Sequence, residues 1–362
     1  MKYNKLLLAF FILFISCSVS KKEVEEYKNS NIPLDKNYFV EVDKQFEISS
    51  GTDNLTYPAF FDVDSFGNIY FIDFKDFKVK KYNSKGIFIK EFGGRGTGPG
   101  EFTKVSSFFI SNDSIYINNN YNRTVTLFTV NGKFVRKKNI KGKIPFFLKN
   151  ITNSKLVGSS FDLKKYEKKL IYFTSINIYD NNIIPIKSIY KKELSFKQGD
   201  STDPLFLYSS YVSDEKYIYV AKNSYDFYEI NFYDFLGNHK GVISKSYSKK
   251  EYSEHEYFLA EKKLSRISSM KPKNRGKKYK KSINGIYIDN KKRIWVCTPK
   301  ELDDKNLGLR FDIFKDNKFI NTNYFEFDID FEFNAFMHIK IINDKIYTFN
   351  VDNGSLKVYN II

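Results

Sequence analysis

The chain has 362 residues, of which 42% are apolar and 18% aromatic, and this content is ample for a folded core. The excess of Tyr and Phe, with only eight Pro, favours strands over helices and predicts an all-β protein. The formal net charge is +17, but ten Lys or Arg and no acid fall within residues 262–281. The charge is therefore local, and it excludes the chain-wide basic surface that would indicate a nucleic-acid partner.

The first residues predict export. Lys2 and Lys5 precede ten apolar residues, 6–15, which are too few to span a bilayer but suit the core of a signal peptide. Ser16 and Cys17 follow, and this junction resembles the lipobox of bacterial lipoproteins, with Phe14 where that motif usually has Leu. The resemblance implies that Cys17 is lipidated and anchors the chain to a membrane. The alternative is a plain signal peptide followed by a chance cysteine.

These features divide the chain into a signal peptide at 1–16, a flexible tether at 17–34 and one domain at 35–362. Cys297 is the only other cysteine, so lipidation of Cys17 would leave no intramolecular disulfide. Because Cys297 lies in the apolar run RIWVC, we expect a buried, unreactive thiol.

Two patterns alternate along the mature chain, and each occurs six times. The first is a turn followed by a β run, which ends at Tyr70, Tyr116, Val157, Tyr219, Trp295 and Tyr347. The second is an alternating run with an aromatic residue before a turn, at Tyr82, Phe128, Tyr179, Tyr233, Phe314 and Tyr359. Repetition of this kind predicts a six-bladed β-propeller of four-stranded antiparallel blades. A β-sandwich is the main rival, but it would not need six copies of one pattern.

The two ends of the chain predict how the ring closes. The last repeat stops at Ile362 after three strands, and a spare strand at 39–49 precedes the first repeat. We therefore expect the N-terminal strand to complete the last blade and to cover its exposed edge.

The stretch from Phe60 to Phe102 comes closest to a known repeat. Its segments FFDVDSFGNIYFID, KVKKYNSKG, FIKEFG and GTGPGEF resemble an NHL repeat. Together with the lipoprotein signal, the chain is similar to the six-bladed propeller lipoproteins of Bacteroidetes. That resemblance implies a propeller on an outer membrane, either periplasmic or surface-exposed, and it implies no particular activity.

The long connections are expected on one face. When the strands of each blade are numbered 1 to 4 from the axis, the 2–3 and 4–1 connections open on one face, which we call the long-loop face. The 2–3 connections are long at 157–179 and 295–314, and the 4–1 connections at 191–207 and 245–282. The insertion at about 248–281 has helical spacing followed by a basic loop, which could meet an anionic glycan or lipid phosphate or be simply solvated. Because function concentrates in loops on a rigid scaffold, this face is predicted to bind a ligand, whereas neutral drift would scatter insertions over both faces.

Polar side chains come three residues after the aromatic of the first pattern, at strand ends on the long-loop face. With nearby loop residues they form the predicted binding face: Asp73, Arg95, Asn119, Tyr121, Arg123, Lys222 and Asn350. Strand ends are polar in any case, so an ordinary surface is the alternative.

No catalytic motif is present in the sequence. The three histidines, His239, His255 and His338, fall in places that cannot converge on one zinc ion. We therefore expect no cofactor, no nucleic-acid partner and a noncatalytic module that binds a glycan, peptide or protein. The alternative is a metal-dependent hydrolase or lactonase, with calcium held by Asp and Asn oxygens in the axial channel.

Overall fold

A computed structural model describes residues 24–111, 113–119, 123–142, 144–166, 169–197, 208–256, 258, 279–301, 304, 306–329 and 338–362. These residues form an all-β structure with almost no helix, in which six antiparallel sheets of four strands make a ring. The predicted six-bladed propeller is confirmed. No helix within the described ranges is long and apolar enough to cross a membrane.

The strands follow the predicted order. Two precede the first blade: β1 (Glu25–Asn29) and β2 (Val42–Ile48). Blade one contains β3 (Pro58–Val63), β4 (Ile69–Asp73), β5 (Lys78–Tyr82) and β6 (Phe88–Phe92). Blade two contains β7 (Ser107–Ser111), β8 (Ser114–Asn119), β9 (Thr124–Thr129) and β10 (Phe134–Asn139). Blade three contains β11 (Phe146–Thr152), β12 (Lys155–Tyr166), β13 (Lys169–Asp180) and β14 (Pro185–Lys197).

The second half of the ring continues in the same way. Blade four contains β15 (Tyr211–Ser213), β16 (Tyr217–Ala221), β17 (Tyr228–Asp234) and β18 (His239–Lys245). Blade five contains β19 (Gly285–Ile288), β20 (Ile294–Thr298), β21 (Leu309–Lys315) and β22 (Lys318–Phe325). Blade six contains β23 (Ile339–Ile342), β24 (Lys345–Asn350) and β25 (Ser355–Ile361), with β2 as its outer strand.

The ring closes as the ends of the chain predict. Strand β2 pairs antiparallel with β25, from Val42 opposite Ile361 to Ile48 opposite Leu356. The side chain of Ile48 is fully buried, and it packs in one apolar cluster with Phe61 and Phe71 of blade one. The first and last parts of the chain are therefore joined by backbone hydrogen bonds and by a shared core.

The core is divided among the junctions of the ring. Six buried apolar clusters each join the facing sheets of two neighbouring blades. At the junction of blades five and six, for example, Trp295 and Phe311 pack with Ile346 and Tyr359. Since a single blade has no other partner for its faces, each blade depends on its neighbours for stability.

The first sequence pattern has a structural reason in a carboxylate of the 1–2 turn. Asp64 accepts hydrogen bonds from the Phe66 and Asn68 amides and, at 2.9 Å, from the hydroxyl of Tyr70. In blade four, Asp214 likewise accepts from the Tyr219 hydroxyl at 3.1 Å, and in blade five Asp289 accepts from Trp295 Nε1 at 2.8 Å. The aromatic at the end of the pattern thus fills the core while its polar atom fastens the turn.

The second pattern ends in a 3–4 turn, where glycine is required twice over. Gly86 and Gly132 have φ angles of 81° and 79°, in the left-handed region that glycine adopts without strain. A Cβ at either position would lie 2.6 Å from a ring atom of the preceding blade, Phe46 and Phe92 respectively. The turn therefore packs directly against the outer strand of the neighbouring blade.

The tether prediction is wrong for its second half. Residues 25–29 form β1, which pairs in parallel with β18 as a fifth strand of blade four. Tyr27 is half-buried and its ring packs against Phe232. Asn29 then bonds to Ser244 of blade four and to Phe319 of blade five. The strand was not predicted because its sequence is polar. A strand on the outer edge of a sheet needs only one apolar contact, so its sequence need not be apolar.

One predicted loop also differs from the observed structure. The 2–3 connection of blade three is not a long loop, because β12 and β13 are 12 residues each and pair along their whole length up to Tyr166 and Lys169. The insertion between blades four and five begins a helix at residues 254–256, as its spacing predicts. Residue 257 and residues 259–278, which include most of the basic segment, lie outside the described residues, and so does the signal peptide with Cys17.

Candidate functional site

A cavity of about 190 Å³ lies between blades four and five at the long-loop face. Its walls come from the start of β17, the end of β18, the end of β20 and the first half of β21, together with the connections that follow β18 and β20. Both of these connections were predicted to be long. The charged and aromatic lining residues are Tyr228, Lys245, Tyr247, Lys250, Glu301, Arg310 and Asp312.

A buried ion pair joins the two blades beside this cavity. Lys245 Nζ lies 2.8 Å from Asp312 Oδ2, and both side chains are almost fully buried. Asp312 Oδ1 accepts a hydrogen bond of 2.7 Å from the Thr322 hydroxyl, and the Lys245 ammonium lies 3.9 Å from the centroid of the Phe319 ring. Burial alone would raise the pKa of Asp312, but the charges of Lys245 and Arg310 hold it below its ordinary value.

Two further cations, Arg310 and Lys250, line the cavity. Arg310 has distant partners, since Nη1 lies 3.5 Å from the Pro299 carbonyl and Nη2 lies 3.7 Å from Asp312. Its Nε is buried and has no hydrogen-bond partner within the described residues. Lys250 is 6% exposed and pairs with Glu301, which is about half exposed. Burial and then the charge of Arg310 lower the pKa of Lys250 to about 8. The lining thus carries three cations and two carboxylates.

Tyr228 adds a neutral polar group to the wall. It is 3% exposed, and its hydroxyl makes no hydrogen bond of ordinary geometry with any described residue. Burial, followed by the charge of nearby Asp312, raises the pKa of Tyr228 well above its ordinary value. The hydroxyl therefore stays protonated and is available as a donor.

Hydrogen bonds within the first helical turn of the insertion, and from this turn to Lys280, hold the start of the insertion next to the cavity. The Ser253 amide donates to Glu256 Oε2 at 2.8 Å while the Glu256 amide donates to the Ser253 hydroxyl at 3.2 Å, which is a capping box. Glu256 also accepts from Lys280 Nζ at 2.6 Å. Lys280 and Lys281 end the basic segment, yet each is only 3% exposed. These two lysines are part of the packed structure and do not belong to a solvated loop.

The residues predicted for the binding face are dispersed around the ring. Asp73 is fully buried, and its carboxylate accepts from the Thr56 amide at 2.7 Å and the Tyr57 amide at 3.0 Å, so that it holds the connection from β2 to β3. Asn350 is 8% exposed and accepts from the Asp352 amide at 3.0 Å. Both side chains therefore shape turns, and neither lines the cavity.

None of the other predicted residues that the structure describes lines the cavity. Lys222 pairs with Glu229 at 2.7 Å over the Phe227 ring, and Asn119 is buried against Thr103. Arg95 is exposed and stacks on Phe77 at 4.4 Å. Arg123 is exposed, with a φ of 50°. Tyr121 lies outside the described residues.

The axial channel contains cations as well as a carboxylate. Lys340 of β23 forms an ion pair with Asp62 of β3, and the other Asp62 oxygen accepts from the Ile110 amide at 2.9 Å. Lys149 of β11 is exposed, and its ammonium reaches the Tyr211 carbonyl at 3.1 Å. Asp62 is thus already engaged by a lysine and an amide.

The histidines do not gather at the axis. His239, on an outer strand, contacts Asn231 at 3.1 Å and the Tyr233 ring. His255 lies in the first turn of the inserted helix, and His338 directly precedes the inner strand β23. Within the described ranges no three His, Cys, Asp or Glu side chains could hold a metal ion together.

The sequence analysis missed Lys245, Lys250, Arg310 and Asp312. The available signal was weak: LRFDIF alternates apolar with charged residues on a strand whose two faces are both covered, so a charge there must be paired. Lys250 lies near the start of the insertion, and nothing in the sequence distinguishes it from the many other lysines there.

Comparison with known proteins supports the fold alone. No protein-family model matches the chain, and no curated protein matches it by sequence. A protein of Bacteroides fragilis provisionally described as exported has a crystal structure that matches with a TM-score of 0.53 at 13% identity, over 93% of this chain and 99% of that one. A member of the DUF4221 family from Bacteroides vulgatus matches with a TM-score of 0.49 at 14% identity, over 89% and 98% of the two chains.

Proposed function

We propose that this chain is an exported, membrane-anchored propeller that acts as a noncatalytic binding module through its long-loop face. The observation that carries the proposal is the cavity between blades four and five. It opens on the face where the insertions concentrate, and buried charges from two blades line it. Concave sites with a few convergent polar groups are where proteins bind small ligands.

Export and anchoring are supported by the sequence and by one structural neighbour. The segment 1–16 has the features of a signal peptide, and the similar fold from Bacteroides fragilis is described as that of an exported protein. The NHL-like and lipoprotein resemblances further favour an outer-membrane lipoprotein with lipidated Cys17.

The position of β1 suits an anchor at Cys17. Strand β1 begins opposite Gly241 and ends opposite Lys245, which lines the cavity. A chain arriving from Cys17 would reach blade four at the end of the strand that is farther from the cavity. Glu25 lies eight positions after Cys17, and a chain of that length reaches at most about 29 Å. The propeller would therefore be held close to the membrane while the cavity stays accessible.

Lipidation is tested by cell fractionation. Replacing Cys17 with Ala is expected to move the protein from the membrane fraction to the soluble fraction, because no other lipid site is predicted. Cys297→Ala is the matched control, since that thiol is buried and its loss should leave the fractionation unchanged. A Cys17→Ala protein that stays with the membranes would contradict the anchor.

Binding is tested by a thermal-shift screen of the purified protein against glycans, peptides and metabolites. A ligand that binds the native state raises the unfolding temperature by mass action. We expect at least one ligand whose shift is lost on substitution of Lys250 or Arg310. Ligands that stabilise the protein equally in both variants would contradict the long-loop face as the binding site.

A further inference from the structure

We propose that the cavity between blades four and five recognises an anionic group, a carboxylate or a phosphoryl group, on a small polar ligand, and that Arg310 is its principal contact. This inference rests on the proposed binding function and adds the chemical class of the ligand. It is carried by the spare donors of Arg310, by the surplus of positive charge and by the size of the cavity.

The guanidinium of Arg310 has more donors than partners. It offers five N–H groups in a planar fork. The contact of Nη1 with the Pro299 carbonyl, at 3.5 Å, is at the limit of a hydrogen bond, and the 3.7 Å between Nη2 and Asp312 is beyond it. Nε is buried without a partner among the described residues. A buried donor left unsatisfied is costly, whereas a carboxylate or phosphate would satisfy two such donors at once.

The carboxylate of Asp312 accepts no hydrogen bond from this fork. Its Oδ2 is taken by Lys245 at 2.8 Å, and its Oδ1 accepts from the Thr322 hydroxyl at 2.7 Å. Lys245 is in turn covered by the Phe319 ring. This pair is therefore complete in itself, and Arg310 and Lys250 remain as the cations that face the cavity.

Glu301 supplies a model for the ligand. Its carboxylate, from the connection after β20, contacts the Lys250 ammonium, so a carboxylate fits beside this lysine. Glu301 is 49% exposed, whereas the Lys250 side chain is 6% exposed. A ligand anion can therefore exchange with Glu301 at the cavity mouth while Lys250 stays in place.

The remaining wall limits the size and polarity of the ligand. The cavity of about 190 Å³ is smaller than the ~300–1,000 Å³ typical of drug-sized sites. The Tyr228 hydroxyl is a buried neutral donor, and Asn31, Ser246 and Ser248 also line the cavity. A hydroxylated body of about one sugar ring, free or at the end of a longer chain, fits this wall.

The test is calorimetric titration of the purified protein with glucuronate, glucose 6-phosphate, inorganic phosphate and neutral glucose. We expect at least one anion to bind and glucose to bind much more weakly. Stronger binding of glucuronate assigns the site to a carboxylate, and stronger binding of either phosphate assigns it to a phosphoryl group. Absence of binding by all three anions at up to about 10 mM would overturn the proposal.

Substitutions locate the binding. Arg310→Gln should weaken the anion at least about tenfold, and Arg310→Lys should recover part of the loss, because lysine keeps the charge without the fork. Lys250→Gln is a second, independent variant should Arg310→Gln fail to fold. Arg136→Gln is the matched control, since it removes an exposed arginine of β10 that does not line the cavity and should leave affinity unchanged.

One outcome would contradict the anionic class of ligand without contradicting the binding function. If glucose or another neutral ligand binds and neither Arg310→Gln nor Lys250→Gln weakens an anion, the anionic class is wrong. The binding module itself would then stand on the ligands found in the thermal-shift screen.

Discussion

Buried lysines lie in blade one and at the junction of blades four and five, and they are compensated in opposite ways. In blade one, Lys80 donates to the Asn54 carbonyl at 2.6 Å and lies 3.5–3.6 Å from Asp73, Asp76 and Glu91. Lys78 also pairs with Glu91, so two cations meet three carboxylates. At the other site three cations meet two carboxylates beside a cavity. Both sites use lysine and aspartate at the same face, so the sign of the surplus charge and the presence of space distinguish a structural cluster from a candidate binding site.

The largest expected effect concerns the buried pair. Asp312→Asn would leave Lys245 buried without its carboxylate, and we expect a loss of about 3–5 kcal/mol in the free energy of unfolding. Urea denaturation measures this loss. Glu215→Gln is the control, because it breaks an exposed pair with Lys292 and should have no measurable effect. A loss from Asp312→Asn that is as small as that of the control would mean that the pair does not hold the two blades together.

The second prediction separates stability from binding. Asp73→Asn removes the charge that accepts from the Thr56 and Tyr57 amides, and it should cost about 1–3 kcal/mol in stability without changing anion affinity. Arg310→Gln should do the reverse, with a large loss of affinity and little loss of stability. Both quantities should be measured on both variants. A fall in affinity with Asp73→Asn would return this residue to the binding face and break the contrast between the two sites.

The smallest effect is expected from pH. With a pKa of about 8, Lys250 loses most of its charge between pH 7 and 9, so anion affinity should fall by about three- to tenfold. The groups that face its ammonium are Arg310, Asp312, Lys245, Lys280, Glu301 and Tyr247. The effect on stability has the opposite sign. Because the unfolded chain keeps the Lys250 proton to higher pH than the folded protein, this residue makes stability rise as pH increases through 8.

The pH effect is checked by titrating the anion at several pH values with Lys250→Met as the reference. The variant should bind weakly at every pH and lose the dependence between pH 7 and 9. An unchanged dependence in Lys250→Met would assign the titration to another group.

The sequence predicts the fold of this protein better than it predicts the residues of the candidate site. Six copies of two patterns predicted six blades, because each pattern is local: in blades one and four the aromatic of strand 2 bonds to a turn carboxylate six and five residues before it, Asp64 for Tyr70 and Asp214 for Tyr219. Ring closure was equally predictable from a missing and a spare strand. The binding-face residues were chosen by their position after those aromatics, and a polar residue at a strand end can fasten a turn, as Asp73 does, as readily as it can meet a ligand.

The number of blades, the closure and the face that carries the long connections could therefore be predicted from the sequence, because these follow from short-range patterns and connection lengths. Where positive charge remains in surplus could be seen only in the folded protein. Lys245 and Arg310 are 65 positions apart in the sequence, and β1 reaches blade four from more than 200 residues away. Whether a buried cation is compensated depends on such long-range neighbours, and these are fixed only when the twisted outer strands of adjacent blades pack together.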